Sequence, residues 1–381
     1  MPAEPRRLAD ELETGLSSPI CLTWELTYGC NLQCRHCLSS SGRRDPRELT
    51  TEESRRFIDD LAEMKVFYVN IGGGEPTLRR DFLEIVEYAV TARVGVKFST
   101  NGTTMTAKLA QRLAALDYVD VQVSLDGADA AVNDAVRGAG SHEAAMLAMA
   151  ALSEAGFGPF KLSVVLTRHN VSQLEALLEL ARRFGAVLRL TRLRPSGRGM
   201  ESWAELHPTR GQLSSVHGFL VAHPEVLTGD SFFHLSPLGE DPLAGLNFCG
   251  AGKVVCLVDP VGDVYACPFV MHPDFRAGTI RDPGGFPALW RTSELFSRLR
   301  SPSRGGTCRA CGAFSSCHGG CMAAKFFTGL ALDGPDPECV LGHGEASLAR
   351  GQRAVPVAMA GHGRRGPDRP VRIGRALAER P

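Results

Sequence analysis

A chain of 381 residues with 44% hydrophobic side chains has material for one large core and a smaller second unit. Its 42 basic and 42 acidic residues cancel, so no global field favours nucleic acid or an anionic membrane, and any partner must be recognised locally. The 1–19 stretch reads as a charged N-terminal tail without the apolar segment of a secretory signal, and no apolar run reaches the roughly 18 residues of a membrane span. A cytoplasmic location is expected, and the twelve cysteines then argue for metal ligation rather than disulfides.

Short β-branched runs at 20–26, 67–71, 95–99, 120–125, 161–166 and 187–192 alternate with amphipathic segments. This is the pattern of buried parallel strands separated by helices. Thr50 and Glu53 fit a capping box at the head of the first helix. Six such units over 20–225 predict an α/β fold, a partial (β/α)6 TIM-like barrel with helices outside. Cys30, Cys34 and Cys37 follow the first strand, "GGGEP" (72–76) the second, "TNG" (100–102) the third and "DG" (126–127) the fourth. These are carboxyl ends of strands, where such sheets bind ligands. After a helix expected near 209–222, the Gly- and Pro-rich region 226–345 holds eight of the twelve cysteines, which predicts a small domain stapled by metal. Residues 346–381, with eight arginines against two acids, read as a basic disordered tail.

The C-x3-C-x2-C run is informative for the ligand it lacks. Four thiolates close a cluster and limit it to electron transfer, whereas three leave one iron of a cubane free for a substrate or cofactor. A zinc knuckle completed by His36 is the simpler alternative, but His36 directly precedes Cys37 and is poorly placed to reach the same ion.

This run after the first strand, with "GGGEP" after the second, resembles the radical S-adenosylmethionine (SAM) superfamily over roughly 20–225. The resemblance implies a 4Fe-4S cluster on Cys30, Cys34 and Cys37 whose open iron is chelated by the methionine end of SAM. One electron then cleaves the sulfonium to a 5'-deoxyadenosyl radical, and the protein's part is placement and exclusion of water. On this view Gly73 and Gly74 let the backbone approach the ligand, Pro76 stiffens the turn, and Glu75 offers a carboxylate near a cationic ligand. Asn101, Ser124 and Asp126 are candidate contacts to the ribose or methionine moiety, and Arg137 suits the methionine carboxylate. A plain turn at Ser124 and Asp126 stays open.

Further on, Cys249, Cys256 and Cys267, then Cys308-x2-Cys311-x5-Cys317-x3-Cys321, then Cys339, resemble the SPASM domain of peptide-modifying radical SAM enzymes. A zinc ribbon is the other reading of the C-x2-C pair. The resemblance implies two auxiliary 4Fe-4S clusters, one on Cys308, Cys311, Cys317 and Cys339, the other on Cys249, Cys267 and Cys321. Cys256 is available as the fourth ligand of the latter, or is a small core residue, and Cys21 reads as buried packing.

Longer stretches, among them "CGAGKVVCLVDPVGDVYACPF" and "GGCMAAKFFTGLALDGPDPECV", resemble the mycofactocin family of radical SAM maturases across all but the tails. That resemblance implies a precursor peptide ending in Val-Tyr, a separate small peptide-binding chaperone and an external one-electron reductant, with no nucleic acid or membrane. It also implies oxidative decarboxylation of the terminal tyrosine, followed by a C–C crosslink from the penultimate valine to the resulting tyramine-like unit. Arg194 and Arg198 in "TRLRPSGRG" are candidate receptors for the peptide carboxylate, or arginines that merely cap a turn. Formylglycine formation in a sulfatase and decarboxylation of a haem precursor are the other enzyme readings. An iron-sulfur electron carrier or zinc-stapled module is the non-enzyme one.

Overall fold

The computed structural model describes residues 12, 14–228, 232–241, 243, 248–301 and 305–344. The start of the expected N-terminal tail and the basic tail at 346–381 lie outside the described residues. Six strands carry the fold: β1 (Cys21–Thr27), β2 (Tyr68–Gly73), β3 (Gly95–Thr100), β4 (Val119–Ser124), β5 (Lys161–Leu166) and β6 (Val187–Arg192). Each pairs in parallel with the next. Helices intervene: α1 (Thr51–Glu63), α2 (Phe82–Thr91), α3 (Ala107–Ala114), α4 (Ala130–Arg137), α5 (Ser141–Glu154) and α6 (Leu174–Arg183). After β6 come α7 (Arg198–Leu206) and α8 (Arg210–Ala222). The result is the partial (β/α)6 barrel expected from the alternation of apolar runs.

The period of two along each strand sorts side chains between core and interior. In β1, Leu22, Trp24 and Leu26 are fully buried, and Trp24 meets Phe57 of α1 edge-on at 5.2 Å between centroids. Thr23 and Glu25, on the alternate face, line the cavity inside the barrel. Thr50 and Glu53 form the capping box that starts α1.

The cysteine-rich region is joined to the barrel through the sheet itself. Strands β7 (Leu257–Val258), β8 (Asp263–Tyr265) and β9 (Arg276–Thr279) extend it to nine strands in the order β6-β5-β4-β3-β2-β1-β7-β8-β9. β7 runs parallel to β1, and β8 and β9 turn back antiparallel. The segment just before β1 is also fixed. The N–H of Leu16 donates to Lys253 O at 3.1 Å and that of Ile20 to Val254 O at 3.0 Å, while Trp290 Nε1 donates to Leu16 O at 3.0 Å. The tail expected through residue 19 is therefore shorter, because these backbone groups find partners in the C-terminal region. A buried ion pair closes the far side: Arg192, the last residue of β6, binds Asp336 and Glu338, each at 2.5 Å.

No helix among the described residues is long and apolar enough to cross a membrane. Because Trp24 is wholly enclosed, Trp24→Ala is expected to cost about 3–5 kcal/mol by cavity formation. Urea unfolding checks this, and a loss below about 1 kcal/mol would mean that the β1–α1 contact is not tightly packed.

Candidate active site

The carboxyl ends of the strands surround a cavity of about 280 Å³. Its interior is polar, with Thr23, Asn70, Ser99, Ser124 and Ser163 contributed by successive strands. Cys30, Cys34 and Cys37, on the loop after β1, all face it. Burial pushes the Cys30 thiol up to about 12 and that of Cys34 up to about 11. Thiols so desolvated give up their protons to a metal rather than to water. Among the described residues, no three His, Cys, Asp or Glu side chains converge as a single ion requires. Three thiols spread around one cavity suit a polynuclear iron-sulfur cluster better than zinc. His36 does not complete a zinc knuckle: its side chain and the three thiols do not converge on one point, and its Nε2 is bound 2.8 Å from Asp126 Oδ2.

The glycines at the end of β2 are needed for a reason different from the one expected. Gly73 has φ +110°, and a Cβ there would stand 2.5 Å from Thr27 O. A Cβ on Gly74 would stand 2.0 Å from Gly29 O. The N–H groups of Gly74 and Glu75 donate to Thr27 O at 2.7 Å and to Gly29 O at 2.8 Å. Both glycines border the cavity, but the close approach they permit is to the cysteine loop. Gly72 is the member of the trio with open space where a side chain would be.

Glu75 and Pro76 do not line the cavity, which corrects the expectation of a ligand contact. Glu75 is fully buried and accepts from Thr100 Oγ1 at 2.9 Å and from the Asn101 N–H at 2.6 Å. It pins the loop after β3 to the loop after β2, while burial raises its pKa. Asn101 does reach the cavity, and its Nδ2 donates to Asn31 Oδ1 at 2.9 Å.

Asp126 is likewise turned inward, for its carboxylate is already occupied. It lies 2.6 Å from Arg137 Nε, accepts the Val165 N–H at 2.7 Å, and holds His36. Burial alone would raise its pKa, but Arg137 and His36 hold it well below the usual carboxylate range. Asp126 thus positions Arg137, which faces the cavity together with Ser124.

The two arginines expected to receive a peptide terminus differ. Arg198 donates from Nε to Cys34 O and from Nη1 to Ser41 O, both at 2.9 Å, and so clamps the cysteine loop. Arg194 lies 3.6 Å above the Phe269 ring, donates from Nη1 to Arg192 O at 3.2 Å, and keeps Nε buried without a partner.

In the C-terminal region, Cys308, Cys311, Cys317 and Cys339 line a single cavity with His234. Burial first, then the neighbouring cysteines, raise the thiol pKa of Cys249 (beside Cys321) and of Cys267 (beside Cys249 and Cys321), so these three cysteines lie close together. Cys256 is not with them. It is fully buried, its carbonyl accepts the Thr23 N–H at 3.0 Å, and its charged neighbours are Cys21 and Arg300. It is a core residue at the entry to β7, which corrects its place among the expected ligands. Three features escaped the sequence: Phe269, the Arg192–Asp336–Glu338 cluster, and Glu25. The last left a signal, a lone charge in the apolar "CLTWELT".

A partial barrel with three thiols after its first strand, followed by a second set of cysteines, defines a radical SAM enzyme with a SPASM iron-sulfur domain. Residues 24–181 match the radical SAM superfamily and 249–312 the SPASM iron-sulfur cluster-binding domain. The chain is 61% identical over 360 residues to the mycofactocin maturase of Mycobacterium tuberculosis, covering 94% of this chain and 92% of that one, and it belongs to the mycofactocin maturase family. It is 31% identical to an AdoMet-dependent heme synthase of Methanosarcina barkeri over 85% of this chain and 97% of that one. In fold it resembles Streptococcus suis SuiB bound to S-adenosylmethionine, with a TM-score of 0.69 and 18% identity over 86% of this chain and 78% of that one. S-adenosylmethionine and 4Fe-4S clusters are its cofactors.

Gly74→Ala is expected to displace the cysteine loop, so that reconstituted protein binds less iron and sulfide than wild type; unchanged stoichiometry would refute the steric argument. Asp126→Asn leaves Arg137 buried and unpaired, an expected cost of about 3–5 kcal/mol at neutral pH. Because the Asp126 pKa is lowered by folding, its contribution is present above the unfolded value of about 4 and is lost as pH falls further. Unfolding free energy measured from pH 7 down to acid should therefore fall less steeply in the variant. Parallel curves would show that Asp126 is not the linked group.

Proposed function

We propose that this chain carries out two successive reactions on a precursor peptide ending in Val-Tyr. The first is oxidative decarboxylation of the tyrosine, and the second joins the valine β-carbon to the tyramine-like unit. The observation that carries this reading is 61% identity over 94% of the chain to a mycofactocin maturase. The identity to a heme synthase is half as great, which ranks decarboxylation of a haem precursor second.

On this reading Cys30, Cys34 and Cys37 hold the cluster that binds SAM. Cys308, Cys311, Cys317 and Cys339 hold one auxiliary cluster, and Cys249, Cys267 and Cys321 another. Residues 20–225 form the radical SAM core and 226–345 the auxiliary-cluster domain. When bound, SAM and its cluster supply a 5'-deoxyadenosyl radical, with the electron coming from an external reductant. The chain does the positioning. Arg137, backed by Asp126, offers a guanidinium to the methionine carboxylate, and Asn101, Ser124 and the backbone at Gly73 and Gly74 provide further contacts. Arg194 orients the peptide's terminal carboxylate with the donor that lacks a protein partner. Leu32, Leu38 and Phe269 on the cavity wall exclude water from the reacting carbon. A small chaperone delivers the peptide, and the reducing cytoplasm suits twelve free cysteines.

The test is anaerobic mass spectrometry of a Val-Tyr-ending precursor incubated with reconstituted protein, SAM, reductant and chaperone. Loss of CO2 and two hydrogens with formation of 5'-deoxyadenosine is the expected result. Deoxyadenosine without any change in peptide mass would point to a different substrate. Arg194→Gln should raise the peptide KM roughly 30-fold, about 2 kcal/mol for a buried charge left without its partner. An unchanged KM would remove Arg194 from the substrate site.

A further inference from the structure

Glu25 is an unusual occupant of β1. It is 3% exposed, lies in register with Gly72 of β2, and faces the space left where Gly72 has no side chain. Ser39 is its hydrogen-bond partner, and its Oε2 is buried with none. Among the described residues lining the cavity it is the one carboxyl. Of the basic ones, His36 and Arg137 bind Asp126, Arg192 binds Asp336, Arg198 donates to Cys34 O, Arg194 donates to Arg192 O and lies over Phe269, and Arg189 is engaged as well. Asp259, after β7, offers it nothing, for that carboxylate accepts the Tyr28 hydroxyl at 2.8 Å and the N–H groups of Val261 and Asp263. An orphaned buried carboxyl costs stability, so its partner is to be sought in what enters the cavity. Burial first, then Asp259, push its pKa up to about 8, where both protonation states are populated near neutral pH, as general acid-base catalysis requires.

We propose that Glu25 is the acid-base residue that takes the phenolic proton of the substrate's terminal tyrosine and then returns it. This rests on the Val-Tyr reading above. After the tyrosine β-carbon has lost a hydrogen atom, one electron leaves to an auxiliary 4Fe-4S cluster and the phenolic proton passes to Glu25 Oε2, which leaves a quinone methide. The bond from Cα to the carboxylate then breaks and CO2 departs. Its electron pair forms the Cα=Cβ double bond, the ring oxygen becomes phenolate, and Glu25 gives the proton back. The substrate has lost CO2, one hydrogen atom and one electron, and Glu25 ends as it began.

The experiment compares wild type, Glu25→Gln and Glu25→Asp on precursors ending in Val-Tyr and in Val-(O-methyltyrosine). CO2 release, 5'-deoxyadenosine and peptide binding by fluorescence anisotropy are followed with chaperone present. Expected for Glu25→Gln is unchanged binding, with CO2 per deoxyadenosine lowered roughly 100-fold and partly restored in Glu25→Asp. Wild type should fail in the same way on the methyl ether, a comparison that needs no variant to fold. A wild-type ratio in Glu25→Gln, or normal turnover of the methyl ether, overturns the proposal while leaving the maturase reading intact. Lost peptide binding in Glu25→Gln also overturns it, in favour of placement. Wild type that releases no CO2 from Val-Tyr overturns both.

Discussion

Gly74 lies so near the Gly29 carbonyl that one added carbon would occupy its space, and the rest of the site depends on that contact. With no side chain between them, the loop after β2 donates two backbone hydrogen bonds to the end of β1 and the loop that follows it. Glu75 then reaches on to Thr100 and Asn101, and Asn101 returns to Asn31 beside the first cysteine. The circuit runs through three loops and ends where it started. On the opposite side His36, Asp126 and Arg137 brace the same cysteine loop from β4 and α4. The thiols are thus fixed from two directions by buried polar contacts, each costly to break.

The charges away from the cysteines are arranged for geometry rather than for stability. Arg192, Asp336 and Glu338 are almost fully buried, and a pair so placed contributes little net stability over apolar residues of like volume, because desolvation offsets the attraction. Its effect is positional. Asp336 also accepts the Cys321 N–H at 2.7 Å, so the end of β6 and one cysteine of the second set are two bonds apart. The same carboxylate thereby relates the cavity inside the barrel to the C-terminal cysteines.

Much of this was legible in the sequence, for definite reasons. Short β-branched runs set between amphipathic helical segments mark the strands, so β5 and β6 could be bounded to the residue and the others to within one or two. The family resemblance likewise implied cysteine sets of which two line cavities of the fold, and it left Cys256 open between ligand and core residue. That residue shows the limit, since its place is set by β7, a strand of two residues too short to have a period. Glu75 and Asp126 were found, but the direction of a loop side chain is decided by partners distant in sequence, here Asn101, His36 and Arg137. Glu25 carried a usable signal, for a charge among buried apolar neighbours needs a reason to be there. The continuity of the sheet into the cysteine-rich region carried none.

Among the described residues, the two ends of that sheet, β6 and β9, do not pair. The outer edge of β6 is covered by Leu227, whose N–H donates to Leu188 O and whose carbonyl accepts from Leu190, while β9 ends the far side. A closed barrel fixes its diameter through strand number and stagger, and widening it breaks a ladder. This rim can open without separating any two neighbouring strands, at the expense of side-chain contacts such as that of Arg192. A fold of this kind can admit a stretch of polypeptide, which is broader than a metabolite, while the loops that hold the thiols remain in register.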